Sequence, residues 1–123
     1  MIRNPDLLRE IMLAAERQPA AQDLFLRDIK SLHEDVHEIA DHVQQLLDAE
    51  FIDGIALING REMYPKIIIH RIKNPGHDFL QAMREDTIWK QVKERVMVPA
   101  GSWTLQLAVE YAKNLVRERL GLP

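Results

Sequence analysis

Two apolar, β-rich runs flank Asn59-Gly60, directly after one long amphipathic helical stripe, and nothing else in the chain restricts its fold so tightly. Asn-Gly between two such runs is the strongest short-range signal for a type I′ hairpin, whose two central residues both need positive φ. The first run leads from Phe51-Ile52 through Ile58, and the second covers Met63 to Ile72. Pro65 has no N–H for a ladder, which predicts an edge position for the second strand, at least near its start. The preceding helix is predicted from about Glu34 to Glu50, with Val36, Ile39, Ala40, Val43, Leu46 and Leu47 on one narrow face.

Earlier in the chain, Asn4 suits a helix cap, Pro5 the first helical position, and Asp6 the positive end of the helix dipole. Leu7, Leu8, Ile11, Met12 and Ala15 then recur at helical spacing until Gln18-Pro19. Leu24-Phe25-Leu26 fits a brief strand. Only Arg27 to Asp35 remains for a first helix-turn-helix element, which predicts a helix of one turn or a merger with its neighbour. Helix, short strand, recognition-type helix and β-hairpin wing is the order of a winged helix. The expected fold is therefore α+β, with a winged-helix core over 1–73 and a helical extension over 74–123, together one compact domain.

The extension reads as three helices. Asn74-Pro75 opens one carrying Phe79, Leu80 and Met83. Asp86-Thr87 caps the next, with Ile88, Trp89, Val92 and Val96 inside. Val98-Pro99-Ala100-Gly101 interrupts the chain, Ser102 caps the last helix and Gly121 ends it. Leu105, Leu107, Ala108, Val109, Tyr111, Ala112, Leu115, Val116 and Leu120 cover more of that helix than the stripe of about 100° that packing on one domain requires. Surplus apolar surface of this kind predicts a homodimer contact through Leu107, Tyr111 and Leu115. The other reading is a central helix enclosed by its own domain.

Bulk properties narrow the function classes. A chain of 123 residues holds one core, and 46% hydrophobic with 28% charged residues is an ordinary globular balance. The apolar runs are too short for a bilayer, the first residues lack the layout of a secretory signal, and there is no cysteine. These features predict a cytoplasmic location without disulfides or thiolate zinc sites. The net charge of −3 lacks the basic excess typical of proteins that live on nucleic acid.

Gly76-His77-Asp78-Phe79-Leu80, then Arg84-Glu85-Asp86, Trp89-Lys90 and Lys93, resembles the signature of a bacterial and prophage domain-of-unknown-function family similar to the YjcQ-like winged-helix proteins. Ile39-Ala40, His42-Val43, Leu46, Ala49 and Ile52 are similar to its I-A-x-H helix and the step into the wing, and Asp6–Ile11 and Leu120-Gly121-Leu122 also fit. The resemblance implies a winged-helix fold, a mobile-element setting and no known activity. The chain departs from the family pattern between Ser31 and Glu38, where it is acidic and histidine-rich.

Charge patterning decides how such a fold is used. The solvent face of the recognition-type helix carries Glu34, His37, Glu38, Asp41, Gln45 and Asp48, and from His33 to Glu50 there are six acids and no Lys or Arg. A helix in the major groove lies close to two phosphate rows, where Lys and Arg supply affinity and read guanine. Glu34, Glu38, Asp41, Gln45 and Asp48 are thus expected to form a protein-binding face, or simply a solvated one. The wing has the opposite sign: Arg61, Lys66, Arg71 and Lys73, opposed by Glu62. Those cations suit a nucleic-acid backbone or minor groove, or an edge strand guarded against aggregation, or docking on the acidic helix of a second subunit. His33-Glu34-Asp35-Val36-His37 matches H-E-x-x-H, which on a helix would bind zinc through His33 and His37, with Asp41 as a third ligand. The absence of a further histidine at position 43 and the short chain weigh against a peptidase. His77, Asp78, Asp86 and Trp89 are read as first-turn and core residues, and His42 as a hydrogen-bonded boundary histidine.

The resulting expectation is a non-catalytic winged-helix regulator of a mobile element, without cofactor, acting on an unidentified protein partner and as a homodimer. The second reading is a DNA-binding regulator that uses its basic wing. The third is a zinc-dependent hydrolase built on His33-Glu34-x-x-His37.

Overall fold

The computed structural model describes residues 3–97 and 104–121. By internal contact the chain divides into two compact units, Met1–His77 and Asp78–Pro123. The fold is mixed α+β, with several helices and one small antiparallel sheet. Among the described residues no helix is long and apolar enough to cross a membrane.

In the first unit, helix α1 (Pro5–Arg17) begins as its sequence predicts. The Asn4 side chain accepts from the Leu7 N–H at 3.2 Å, and Leu7, Leu8, Ile11 and Met12 are buried on the inward stripe. Strand β1 (Leu24–Phe25) runs straight into the single-turn helix α2 (Leu26–Ile29), where Asp28 reaches back to accept from the Phe25 N–H at 2.8 Å. A 3-10 turn (Lys30–Leu32) follows, and then helix α3 (Val36–Asp48) buries Ile39, Ala40, His42, Val43 and Leu46.

Helix α3 starts later than expected. Asp35 is its N-cap, with the carboxylate accepting from the His37 N–H at 2.9 Å, so His33 and Glu34 precede the helix. A short carboxylate at the cap satisfies an N–H that would otherwise lack a partner, and this fixes the start at Val36. The helix ends in a Schellman motif: Phe51 N–H donates to Leu46 O at 3.0 Å and Glu50 N–H to Leu47 O at 3.0 Å. Glu50 takes the left-handed position, φ 61°, usually held by glycine. The chain thereby drops Phe51 into the core and enters the sheet.

Strands β2 (Ile52–Leu57) and β3 (Lys66–Ile72) pair antiparallel, and β1 adds to the other side of β3, giving the order β1-β3-β2. Two expectations change here. The two strands are not joined by a two-residue type I′ turn: Leu57 faces Lys66, and Ile58 to Pro65 form the connection. Gly60 has positive φ (86°) but Asn59 does not, so the type I′ geometry is missing, and Met63 N–H instead closes on Gly60 O at 3.4 Å. The edge expectation for the second strand holds near its start, where Lys66 and Ile67 pair with β2 alone, and changes further along, where Ile68 and Ile69 also pair with β1. Pro65, without a donor, stands just before the ladder rather than in it, and the middle of β3, Ile68-Ile69, is paired on both sides.

The β2–β3 register slips once. Asp53 pairs with Arg71 and Gly54 with Ile69, so His70 is an extra residue on β3. The bulge brings the two backbones close enough that a Cβ on Gly54 would lie 2.1 Å from Ile68 O. Gly76 meets a similar limit in helix α4 (Asn74–Met83). A Cβ there would lie 2.2 Å from Phe51 O, the carbonyl that already accepts from Lys73 N–H at 2.9 Å. The glycine of the Gly-His-Asp-Phe-Leu stretch is thus what lets the first turn of α4 rest on the α3–β2 junction.

The second unit contains α5 (Asp86–Val92), a π-helical turn (Lys93–Met97) and α6 (Leu105–Arg119). Phe79 and Trp89 meet edge-to-face, ring centroids 6.3 Å apart. Glu85 rather than Asp86-Thr87 occupies the cap of α5, without a side-chain capping bond. The expected break at Val98-Pro99-Ala100-Gly101 and the Ser102 cap lie outside the described residues. Thr104 caps α6, its hydroxyl accepting from Leu107 N–H at 3.0 Å.

Candidate functional site

The charged features of the sequence meet at the hairpin of the first unit. The loop joining β2 to β3 folds back on the start of α3. Arg61 Nη2 donates to Asp35 Oδ2 at 2.8 Å, and His37 Nε2 donates to Met63 O at 3.1 Å. Asp35 therefore serves twice, one oxygen capping α3 and the other holding the loop. The hydrogen bond from Arg61, then that from the His37 N–H, keeps the Asp35 carboxyl below its ordinary value. The basic hairpin and the start of the acidic helix, for which docking between subunits is one of three readings, thus touch within one chain.

Two further hairpin cations lie near carboxylates at longer range. Arg71 lies 3.8 Å from Asp53, and Lys73 lies 3.8 Å from Glu50. Among the described residues Lys66 is the hairpin cation without an ion pair. The hairpin's positive character is therefore partly offset within the first unit.

The face of α3 is also internally tied. Gln45 Oε1 accepts from Arg3 Nε at 2.7 Å while its Nε2 donates to Asp41 Oδ2 at 2.9 Å. The Gln45 amide is thus held at both ends. Gln44 Nε2 donates to Asp48 Oδ1 at 2.9 Å, and Glu34 lies on the approach to the helix rather than on it. His33, His37 and Asp41 are not gathered. His33 Nδ1 accepts from Asp35 N–H at 3.0 Å, and His37 turns to Met63. No group of three or more His, Asp or Glu among the described residues is placed to hold a metal ion. The helical geometry that H-E-x-x-H needs is lost because the cap at Asp35 falls inside the motif.

What the hairpin does expose is apolar. Ile55, Leu57, Ile58, Met63 and Tyr64 are all accessible, Tyr64 to 70%. The sequence reading did not single these residues out; the alternation of β2, with Asp53, Ile55 and Leu57 on one side, was the available signal. On α6, Leu107 is exposed and Tyr111 and Leu115 are half-buried, while Leu105, Ala108, Val109 and Ala112 are enclosed.

A second polar cluster lies beside the bulge. His70 Nδ1 donates to Asp23 Oδ1 at 2.9 Å, and this carboxylate holds the imidazole above its ordinary value. His70 borders an open groove of about 350 Å³ that also includes Gln18, Gln22 and His77.

A family model described as Hypothetical protein (DUF2513) matches residues 2–102. The chain belongs to the DUF2513 family. The match takes in the whole hairpin and α3, while α6 lies beyond it. A Haemophilus influenzae protein, described only as an uncharacterized protein, is 28% identical over 120 residues, covering 98% of this chain and 99% of its own length. No solved structure is a significant match. DUF2513 membership therefore links this hairpin to a protein family without attaching an activity to it.

Proposed function

We propose that this DUF2513 protein is a non-catalytic winged-helix module that works by binding protein, with the β2–β3 hairpin as its wing and α3 in the recognition-helix position. The order helix, strand, helix, hairpin and the three-stranded sheet support that reading of the fold. The observation that carries the function is the composition of the wing surface: its cations are partly offset by neighbouring carboxylates, while Ile55, Leu57, Ile58, Met63 and Tyr64 remain accessible. Phosphate binding needs uncompensated Lys and Arg, whereas a cluster of accessible apolar side chains fits a protein surface. The resemblance to bacterial and prophage proteins gives this a regulatory setting in a mobile element.

Fluorescence anisotropy of mixed-sequence duplex DNA at low salt tests the reading. The expected result is no salt-sensitive binding, and no change on Lys66→Glu with Arg71→Glu. Salt-sensitive binding that this double variant removes would overturn it in favour of a DNA-reading wing.

A further inference from the structure

The two edges of the sheet differ sharply. β1 is two residues long and passes at once into α2, so it offers little backbone for pairing. β2 is six residues long, and among the described residues no backbone hydrogen bond outside the β3 ladder reaches Gly54–Leu57. Edge strands are usually guarded by Lys, Pro, a bulge or a covering segment. Ile52–Leu57 has no Lys or Pro, and its one charge, Asp53, is engaged by Arg71 of the same sheet. The extra residue of the bulge sits on β3, which leaves Gly54–Leu57 in unbroken register.

The outer face of this edge is organised in rows. Residues paired across a ladder share a face. Phe25, Ile68 and Ile55 therefore form one apolar row across all three strands, with Leu57–Lys66 on one side and Asp53–Arg71 on the other. Ile55 is 45% and Leu57 49% exposed.

We propose that β2 pairs antiparallel with β2 of a second copy about a twofold axis at Ile55, making one six-stranded sheet. A one-residue slip would oppose inner and outer faces, so only registers shifted by two residues compete. The register centred on Ile55 joins the two apolar rows into one, and it sets Asp53 opposite the second copy's Leu57. Asp53 is then two strands, or about 10 Å of backbone, from the second copy's Lys66. A lysine side chain covers most of that span, and Lys66 is the hairpin cation left without an ion pair among the described residues. The twofold axis repeats the arrangement, so Asp53 of each copy, 3.8 Å from its own Arg71, also comes within reach of the other's Lys66.

This pairing rests on the protein-binding reading of the hairpin. The chain has no cysteine, so a single introduced thiol reports on one contact. Directly opposed residues in an antiparallel pair have Cβ atoms roughly 5 Å apart, close enough for Ile55→Cys to cross-link the dimer under mild oxidation. Sedimentation or light scattering is expected to show a wild-type dimer, and Ile55→Lys is expected to dissociate it with an unchanged far-UV circular dichroism spectrum. Leu107→Glu with Tyr111→Glu, on α6, is expected to leave the dimer intact. The proposal is overturned if the α6 double variant dissolves the dimer while Ile55→Lys does not. It is equally overturned if the wild type stays monomeric at high concentration, which would leave the edge to a strand of another protein. DNA binding alongside efficient Ile55→Cys cross-linking would refute the protein-binding reading but keep the pairing. No DNA binding and no cross-link would refute the pairing alone.

Discussion

His42 is the fully buried polar side chain among the described residues, and both of its ring nitrogens are committed. Nδ1 donates to Glu38 O at 2.7 Å, and Nε2 accepts from the Asn4 N–H at 2.8 Å. Those partners assign the neutral ring with its proton on Nδ1. Because Asn4 also caps α1, one imidazole ties the start of that helix to the middle of α3. A sequence pattern places His42 beside the inner stripe but cannot show that its far partner is a backbone group 38 residues away. His42→Leu keeps the bulk and removes both bonds, leaving the Asn4 N–H, in a part-buried contact, without its partner. The expected cost is about 1–3 kcal/mol, read as a lower urea midpoint with an unchanged slope. A shift within error would mean that the Asn4 N–H finds water instead.

At the scale of elements, local chemistry was the more legible part. The Asn4-Pro5-Asp6 start of α1 and the stripe of α3 stand where periodicity and capping put them. The predicted start of α3 is early because Glu34 continues the polar face of the stripe, although Asp35 is the residue of this stretch whose short carboxylate suits a cap. The hairpin was legible as two strands but not in its turn. Asn59-Gly60 is a strong local signal, yet the loop is set by where Pro65 lets the ladder begin and by its anchors on α3. The exposed apolar row was hidden for a different reason: it takes the pairing of three strands to align Phe25, Ile68 and Ile55. Gly76 allows a test in which propensity and packing oppose each other. Alanine in a helix is worth about 1 kcal/mol over glycine, but at this site its Cβ would strike Phe51 O at 2.2 Å. Overpacking costs about 1–3 kcal/mol, so Gly76→Ala is expected to lower the melting temperature. A higher one would show that α4 can move away from the α3–β2 junction at little expense.

For the molecule as a whole, two surface contacts give the stability a pH window. His70 is held above its ordinary value of 6.5 by Asp23, so its contribution is complete below pH 6.5 and fades as the pH rises through the folded-state value. Asp35 is held below its ordinary 3.8 by Arg61 and the His37 N–H, so its contribution is complete above that pH and is lost only as acid brings the pH down through the folded-state value. Both act together between those limits. Denaturant melts are expected to lose more stability between pH 6 and pH 8 in the wild type than in Asp23→Asn, and parallel profiles would discount the His70 contact. The bulge that sets His70 there has a further consequence, for how the chain length of this hairpin can change in evolution. Ile69 opposes Gly54 and Arg71 opposes Asp53, so His70 is already an insertion relative to β2. Losing it would leave every flanking pair facing as before, whereas a one-residue gain or loss elsewhere in β3 would turn part of the strand's buried side outward. The hairpin therefore carries one site where an indel of a single residue is structurally silent, with the Asp23 contact as what is given up.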